Sequence, residues 1–151
     1  MSSSIPSGAP RHARAAYLLA RVGRSQSTRF AERVQSVGLR PKQFAVLNAI
    51  ALADGASQGE IGGRMGLDPS GLVSAIDELE GMGLVERRRD PADRRRYVLG
   101  LTEDGRATLR RGRRVVAESA RELLASLDDD EVDKLVDLLG RVVEAERLPG
   151  F

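Results

Sequence analysis

Six arginines fall within residues 85–102, "VERRRDPADRRRYVLGLT", three on each side of a short break that contains Pro91. A guanidinium is planar, permanently charged and forks its donors toward paired acceptors, so such a cluster suits phosphate oxygens and base edges. Asp90 and Asp93 sit between the two triplets. A carboxylate in that place can hydrogen-bond a guanidinium and hold it extended instead of letting it collapse onto the chain. The formal net charge is only +2 while the isoelectric point is about 9.5, so attraction to a polyanion must come from local clustering. Lys42 and Lys134 are the only lysines, which leaves nearly all cationic chemistry to arginine.

Other chemistry has little to draw on. There is no cysteine, hence no disulfide, thiolate nucleophile or cysteine zinc site, and His12 is the only histidine, too few for a catalytic triad or a histidine metal cage. No catalytic residue, metal or cofactor is expected. No apolar run nears the roughly 20 residues that span a bilayer, and "MSSSIPSGAPRHAR" lacks an apolar signal core. The expectation is a cytoplasmic protein without a membrane partner.

The elements that must position the arginines follow from apolar spacing and caps. Residues 1–10, rich in Ser, Pro and Gly, are expected to be a mobile leader. From His12 to Val37, Leu19, Val22, Phe30, Val34 and Val37 recur at helical spacing across the polar run "GRSQSTR", which predicts one long helix only partly buried by its own chain. Pro41 opens a second helix reaching about Ala53, with Phe44, Leu47 and Ile50 on one face. After a turn at Asp54 and Gly55, Ser57 and Glu60 make a capping box for a brief helix that ends near Gly66. Asp68 then caps a helix with Leu72, Ile76 and Leu79 inward, broken at Gly81 and Gly83. "GLVERRR" and "RRRYVLGLT" read as a hairpin with Tyr97, Leu99 and Leu101 on one face. Three short helices followed by an arginine-tipped hairpin make a winged helix-turn-helix: the third helix suits a DNA major groove and the hairpin a flanking minor groove.

Downstream, Thr102 is a plausible cap for a long helix with Leu109, Val116 and Leu123 at seven-residue spacing, joined by Ala120 and Leu127. Asp128 and Glu131 form a second capping box, before an apolar stripe of Val132, Leu135, Val136, Leu139, Val142 and Val143. That stripe suits either a second copy of the chain or an intrachain helical hairpin. "RRGRR" at 110–114 reads as a solvated face or a nucleic-acid patch.

From Leu39 to Gly105 the residues resemble the MarR-type transcriptional regulators, most specifically in "DPADRRRYVLGLTEDG", where that family's wing carries an Asp-x-Arg pair before an apolar strand ending in Leu-Thr. The resemblance implies a mainly α fold: a two-stranded wing on a helix-turn-helix lobe at 39–102, with dimerisation helices at 11–38 and 103–151. It implies a homodimer on a pseudo-palindromic duplex, acting as a repressor and released by a small aromatic or acidic ligand. Asp93 matches the wing aspartate and Arg95 the minor-groove arginine; Ser70 and Ser74 match recognition-helix positions that touch bases or phosphates. Arg89, Arg94 and Arg96 join them on the wing, Gly71 on the helix, and Arg40, Lys42 and Arg64 near the duplex backbone. Tyr17, Arg21, Phe30 and Phe44 are candidates for a ligand cleft, core packing being the plainer role for the two phenylalanines.

One departure matters. The recognition helix has no basic residue between Met65 and Gly83 and carries Asp68, Asp77, Glu78 and Glu80 instead. An outward Glu78 would either repel phosphate or accept from cytosine N4. This acidity leaves a second reading open, a winged-helix adaptor for a protein or ligand with weak DNA affinity. Arg40 also stands where a threonine usually caps the second helix, which predicts the loss of a side-chain acceptor there.

Overall fold

A computed structural model describes residues 10–53, 55–66 and 68–146; residues 1–9 of the expected leader, and Asp54 of the expected turn, lie outside that set. Among these residues eight elements follow in order: α1 Arg11–Gln35, α2 Pro41–Leu52, α3 Gln58–Met65, α4 Pro69–Gly81, β1 Val85–Arg89, β2 Tyr97–Leu101, α5 Glu103–Leu123 and α6 Asp129–Ala145. The fold is the winged helix-turn-helix with long flanking helices.

Local chemistry sets the boundaries. The Ser57 N–H donates to Glu60 Oε2 at 2.6 Å, and Glu60 N–H returns the bond to Ser57 Oγ at 3.4 Å. The same reciprocal box joins Asp128 and Glu131, at 3.0 and 2.9 Å. Asp68 Oδ2 accepts from Gly71 N–H at 2.6 Å, and Thr102 Oγ1 from Gly105 N–H at 2.9 Å. Each bond satisfies a donor that a helix start leaves without a partner. At the other end of α3, Gly66 takes φ +61°, the left-handed conformation that closes a helix without a Cβ penalty.

The core lies under α2 to α4 and the wing root. Val46, Leu47, Ile61, Ile76 and Leu79 are each 1% exposed or less, closed below by Leu84, Val85, Leu99 and Leu101. The two strands pair antiparallel from Val85 opposite Leu101 to Arg89 opposite Tyr97. The expected inward row of Tyr97, Leu99 and Leu101 holds only for the two leucines. Tyr97 is 51% exposed because it opens the strand at the wing end, short of the core, and its ring instead carries the Arg89 guanidinium 4.1 Å from the centroid.

The flanking helices are poorly buried. Of the 25 residues of α1, only Val34 is buried, and α6 buries none. In α5 the buried residues are Gly105, Thr108, Leu109, Gly112 and Ser119; of the expected heptad, Leu109 is buried while Val116 and Leu123 are half-buried, so small residues make most of the inward face. Small residues are needed because the helix comes very close to its neighbours: a Cβ on Gly112 would lie 2.6 Å from the Phe44 ring. Arg33 and Arg29 of α1 reach Glu122 of α5 at 2.7 and 3.8 Å. Among the described residues, no helix is long and apolar enough to cross a membrane.

Candidate nucleic-acid interface

The recognition helix α4 packs Leu72, Ala75, Ile76 and Leu79 inward and leaves Ser70, Val73, Ser74 and Asp77 exposed. Its first turn is tightly organised. Ser70 Oγ donates to Asp68 Oδ2 at 2.6 Å, and this bond, followed by that from Gly71 N–H, holds the Asp68 carboxyl below its ordinary pKa. Lys42 reaches across from α2, its ammonium 2.4 Å from where a Cβ on Gly71 would stand. The glycine is therefore what admits the lysine over the helix start.

The carboxylates of α4 are not free. Glu78 Oε2 accepts from Gln43 Nε2 at 2.8 Å and from the Arg40 guanidinium. Those two donors, Gln43 first, lower its pKa. An outward Glu78 facing phosphate or cytosine is thus replaced by a bridge from α4 to the start of α2. Arg40 makes no side-chain cap bond, as expected, and Gln43 Oε1 satisfies a different donor of this helix start, the Arg40 N–H, at 2.8 Å. With a lowered folded-state pKa, the contribution of Glu78 is present above its ordinary value of 4.5 and is lost as pH falls through the lowered one. Glu78→Gln cannot titrate, so its melting temperature is expected to fall less than the parent's on acidification below pH 4.5. Superimposable acid-melting curves would contradict this bridge.

The six wing arginines divide by task. Arg87 pairs with Asp77 at 2.6 Å and with Glu80, which ties the wing root to the recognition helix; Asp77 is the main cause of its raised pKa. Arg88 pairs with Glu86. Arg89 donates to the Arg94 carbonyl at 2.9 Å while stacked on Tyr97. Arg96 lies 3.2 Å from Glu60 and 3.9 Å from Asp90. The tip is closed by Asp90 N–H to the Arg96 carbonyl at 3.0 Å and Arg96 N–H to the Asp93 carbonyl at 2.9 Å. Asp93 Oδ1 accepts from the Arg95 backbone at 3.0 Å and from its Nε at 3.2 Å, leaving the Arg95 side chain 92% exposed. Arg94 is exposed beside it, and Arg64 is exposed in the last turn of α3. Sequence reasoning missed the internal pairing of Asp77, Glu78 and Glu80. The available signal was their spacing: Asp77 and Glu80 share one helix face next to the strand that carries Arg87.

A second feature lies where α1, α2 and α5 meet. Phe30 and Phe44 pack edge to face, 5.8 Å between centroids, beside a largely apolar cavity of about 610 Å³ that also touches Gln26, Ala45, Asn48 and Val116. Arg113 of α5 is held at Asn48, whose Oδ1 accepts from its Nε at 3.0 Å and from Nη2 at 2.7 Å. Gln26 Oε1 is buried without a hydrogen-bond partner among the described residues. Tyr17 and Arg21 do not join Phe44 here. They pair with each other, guanidinium 5.8 Å from the ring, on the exposed half of α1. The polar run does not break that helix, so at 1.5 Å per residue Arg21 and Tyr17 lie roughly 14 and 20 Å from Phe30 along its axis. Among the described residues, no group of three acidic or histidine side chains is arranged to hold a metal.

This geometry has known counterparts. The MarR family model matches residues 37–96. A putative transcriptional regulatory protein for the hcr operon of Thauera aromatica is 35% identical over 105 residues, 70% of this chain and 63% of that protein, so the match spans less than two thirds of that relative's length. The transcriptional repressor CouR bound to a 23-mer DNA duplex is 36% identical, covering 85% of this chain and 91% of that one, with a TM-score of 0.74. CouR from Rhodococcus jostii RHA1 bound to p-coumaroyl-CoA is 32% identical, covering 90% and 93%, with a TM-score of 0.72. The helix-turn-helix, the arginine-tipped wing and these relatives together make the chain a member of the MarR family of transcriptional regulators.

Proposed function

We propose that the protein is a homodimeric repressor that occupies a pseudo-palindromic duplex site in the cytoplasm and leaves it when a small aromatic acid or thioester fills the α1–α2–α5 cavity. In this reading residues 39–102 contact DNA, and residues 11–38 and 103–151 hold the dimer. The observation that carries it is Arg95: exposed at the wing tip, braced by Asp93, and on a hairpin tied through Arg87 to the recognition helix. Ser70, Gly71 and Ser74 would meet the major groove, and Lys42, Arg64, Arg89, Arg94 and Arg96 the backbone around it. The acidity that favoured an adaptor is met by internal cations, so it no longer argues against DNA.

Binding to a mixed genomic duplex should therefore weaken steeply with salt, through release of condensed counterions. Arg95→Ala is expected to cost on the order of 1–3 kcal/mol in specific binding while leaving the assembly unchanged. Equal affinity of variant and parent for a selected site at one fixed salt concentration would reject the wing assignment, and salt-insensitive or absent binding would reject the DNA reading.

The ligand part rests on α2. One face of that helix lines the cavity with Phe44, Ala45 and Asn48, while its start holds α4 through Arg40 and Gln43. A ligand that binds better when α2 is displaced would shift the lobes away from DNA, about 1.4 kcal/mol of preference per tenfold loss of affinity. Solved CouR carries p-coumaroyl-CoA, which supports an aromatic acyl group. Arg113 is hydrogen-bonded to Asn48 of the cavity lining, so Arg113→Ala is expected to blunt release by aromatic acids, whereas Arg21→Ala leaves it unchanged. Release measured by fluorescence anisotropy of labelled duplex separates the two; the opposite ranking restores Arg21 as the ligand partner.

A further inference from the structure

We propose that Val73 is the base-reading residue of the recognition helix, and that it reads the C5 methyl of a thymine in each half-site. The inference rests on the DNA-binding reading and adds to it the base that α4 selects.

Ser70, Val73, Ser74 and Asp77 follow the i, i+3, i+4, i+7 spacing of one helical face and line one shallow depression, with Glu78 at its margin. Most of the polar groups there are already engaged. Ser70 Oγ donates to Asp68, Asp77 is held by Arg87, and Glu78 is held by Arg40 and Gln43. Ser70 and the 56% exposed Asp77 keep acceptor capacity only, so the sole donor left unengaged on this face is the Ser74 hydroxyl, beside the two methyls of Val73, which is 37% exposed.

The residue types sharpen the choice. From Asp68 to Gly81 there is no Arg, Lys, Asn or Gln, so α4 has no side chain able to make the bidentate contacts that distinguish guanine or adenine. A serine hydroxyl both donates and accepts, and so discriminates weakly. Valine in a helix is held almost entirely in one χ1 rotamer, which makes its methyls a fixed apolar knob. The only apolar group that a base pair shows in the major groove is the thymine methyl. An exposed, rotationally fixed valine among neutralised carboxylates is therefore complementary to T·A and has nothing to offer the other pairs.

The test uses the full-length protein and a duplex that it selects from a random pool. Each thymine of the site is replaced in turn by deoxyuridine, which removes only the C5 methyl, and affinity is measured at fixed salt for the parent and for Val73→Ala. One symmetric pair of thymines is expected to respond in the parent: about fourfold weaker binding per half-site, about fifteenfold when both are replaced, as burial of one methyl group implies. Val73→Ala is expected to bind the thymine and uridine versions of that pair equally, with an unchanged salt slope, since a methyl contact releases no counterion. Val73 is exposed and alanine is the better helix former, so the variant keeps the fold, which its melting temperature verifies. Indifference of the parent to every uridine substitution, or a uridine effect of the same size in Val73→Ala, overturns the Val73 assignment and leaves the DNA reading standing. Failure of the parent to select any site overturns both.

Discussion

Gly105→Ala is expected to destabilise the protein by about 3 kcal/mol or more, lowering its melting temperature by roughly 6–12 °C. The added Cβ would stand 1.9 Å from the Leu84 carbonyl oxygen and 2.9 Å from its carbon. These are backbone atoms and cannot rotate aside. The same carbonyl accepts the Thr102 N–H at 3.1 Å, while Thr102 Oγ1 donates to the Gly83 carbonyl at 2.6 Å and caps α5 through Gly105 N–H. The methyl group thus pushes on the junction where recognition helix, wing and α5 meet, and any relief must break bonds that join them. Gly63→Ala is the control. It has nothing within 4 Å in the interior of α3, and it is expected to stabilise by up to about 1 kcal/mol, because alanine gives up less backbone freedom on folding. Thermal unfolding followed by circular dichroism measures both, and a Gly105→Ala protein as stable as its parent would mean that α5 does not approach the wing root so closely.

How much of this was legible in the sequence depends on range. Helix starts were readable because Ser57, Asp68, Thr102 and Asp128 act on backbone donors within their own turn, a chemistry that needs no tertiary context. The wing was readable because its arginines and aspartates are neighbours in sequence, and Asp93 does brace Arg95 across two residues. Pairings across elements were not. Glu78 meets Arg40 from 38 residues away and Gln43 from 35, and Arg96 reaches Glu60 over 36. Helical periodicity states only that Glu78 is off the core stripe, and both a solvent-facing acid and a partnered one satisfy that. The ligand candidates were only partly brought together, for a related reason. Spacing put Tyr17, Arg21 and Phe30 on a single helix but could not say where along it α2 crosses, so Phe30 and Phe44 meet while Tyr17 and Arg21 lie beyond the crossing. Arg113, within a run that reads as solvated charge, is anchored 65 residues away on Asn48.

The largest change in assembly is expected from Val136→Glu combined with Val142→Glu. Both valines are exposed in the single chain, 62% and 49%, on a helix that buries none of its residues. Adding carboxylates there costs an isolated protomer little. In a dimer that closes over this stripe, the same change places four unpaired charges in an apolar interface, each costing several kcal/mol. The double variant is therefore expected to sediment as a monomer at concentrations where the parent is a dimer, with helical content kept in the 39–102 lobe. DNA binding should fall with it, since two recognition helices linked about 34 Å apart engage successive major grooves together, and a single lobe loses that linkage. The footprint on a selected site should shrink from two symmetric half-sites to weak protection. The seven-residue spacing of α5 pointed to the same association, yet α5 spends its inward face on Phe44 and Leu84, which leaves α1 and α6 to provide the apolar surface. Leu18, Leu19 and Val22 of α1 are 41–48% exposed and extend that surface. A parent that sediments as a monomer would remove the dimer, and a double variant that remains dimeric with full affinity would move the interface off α6.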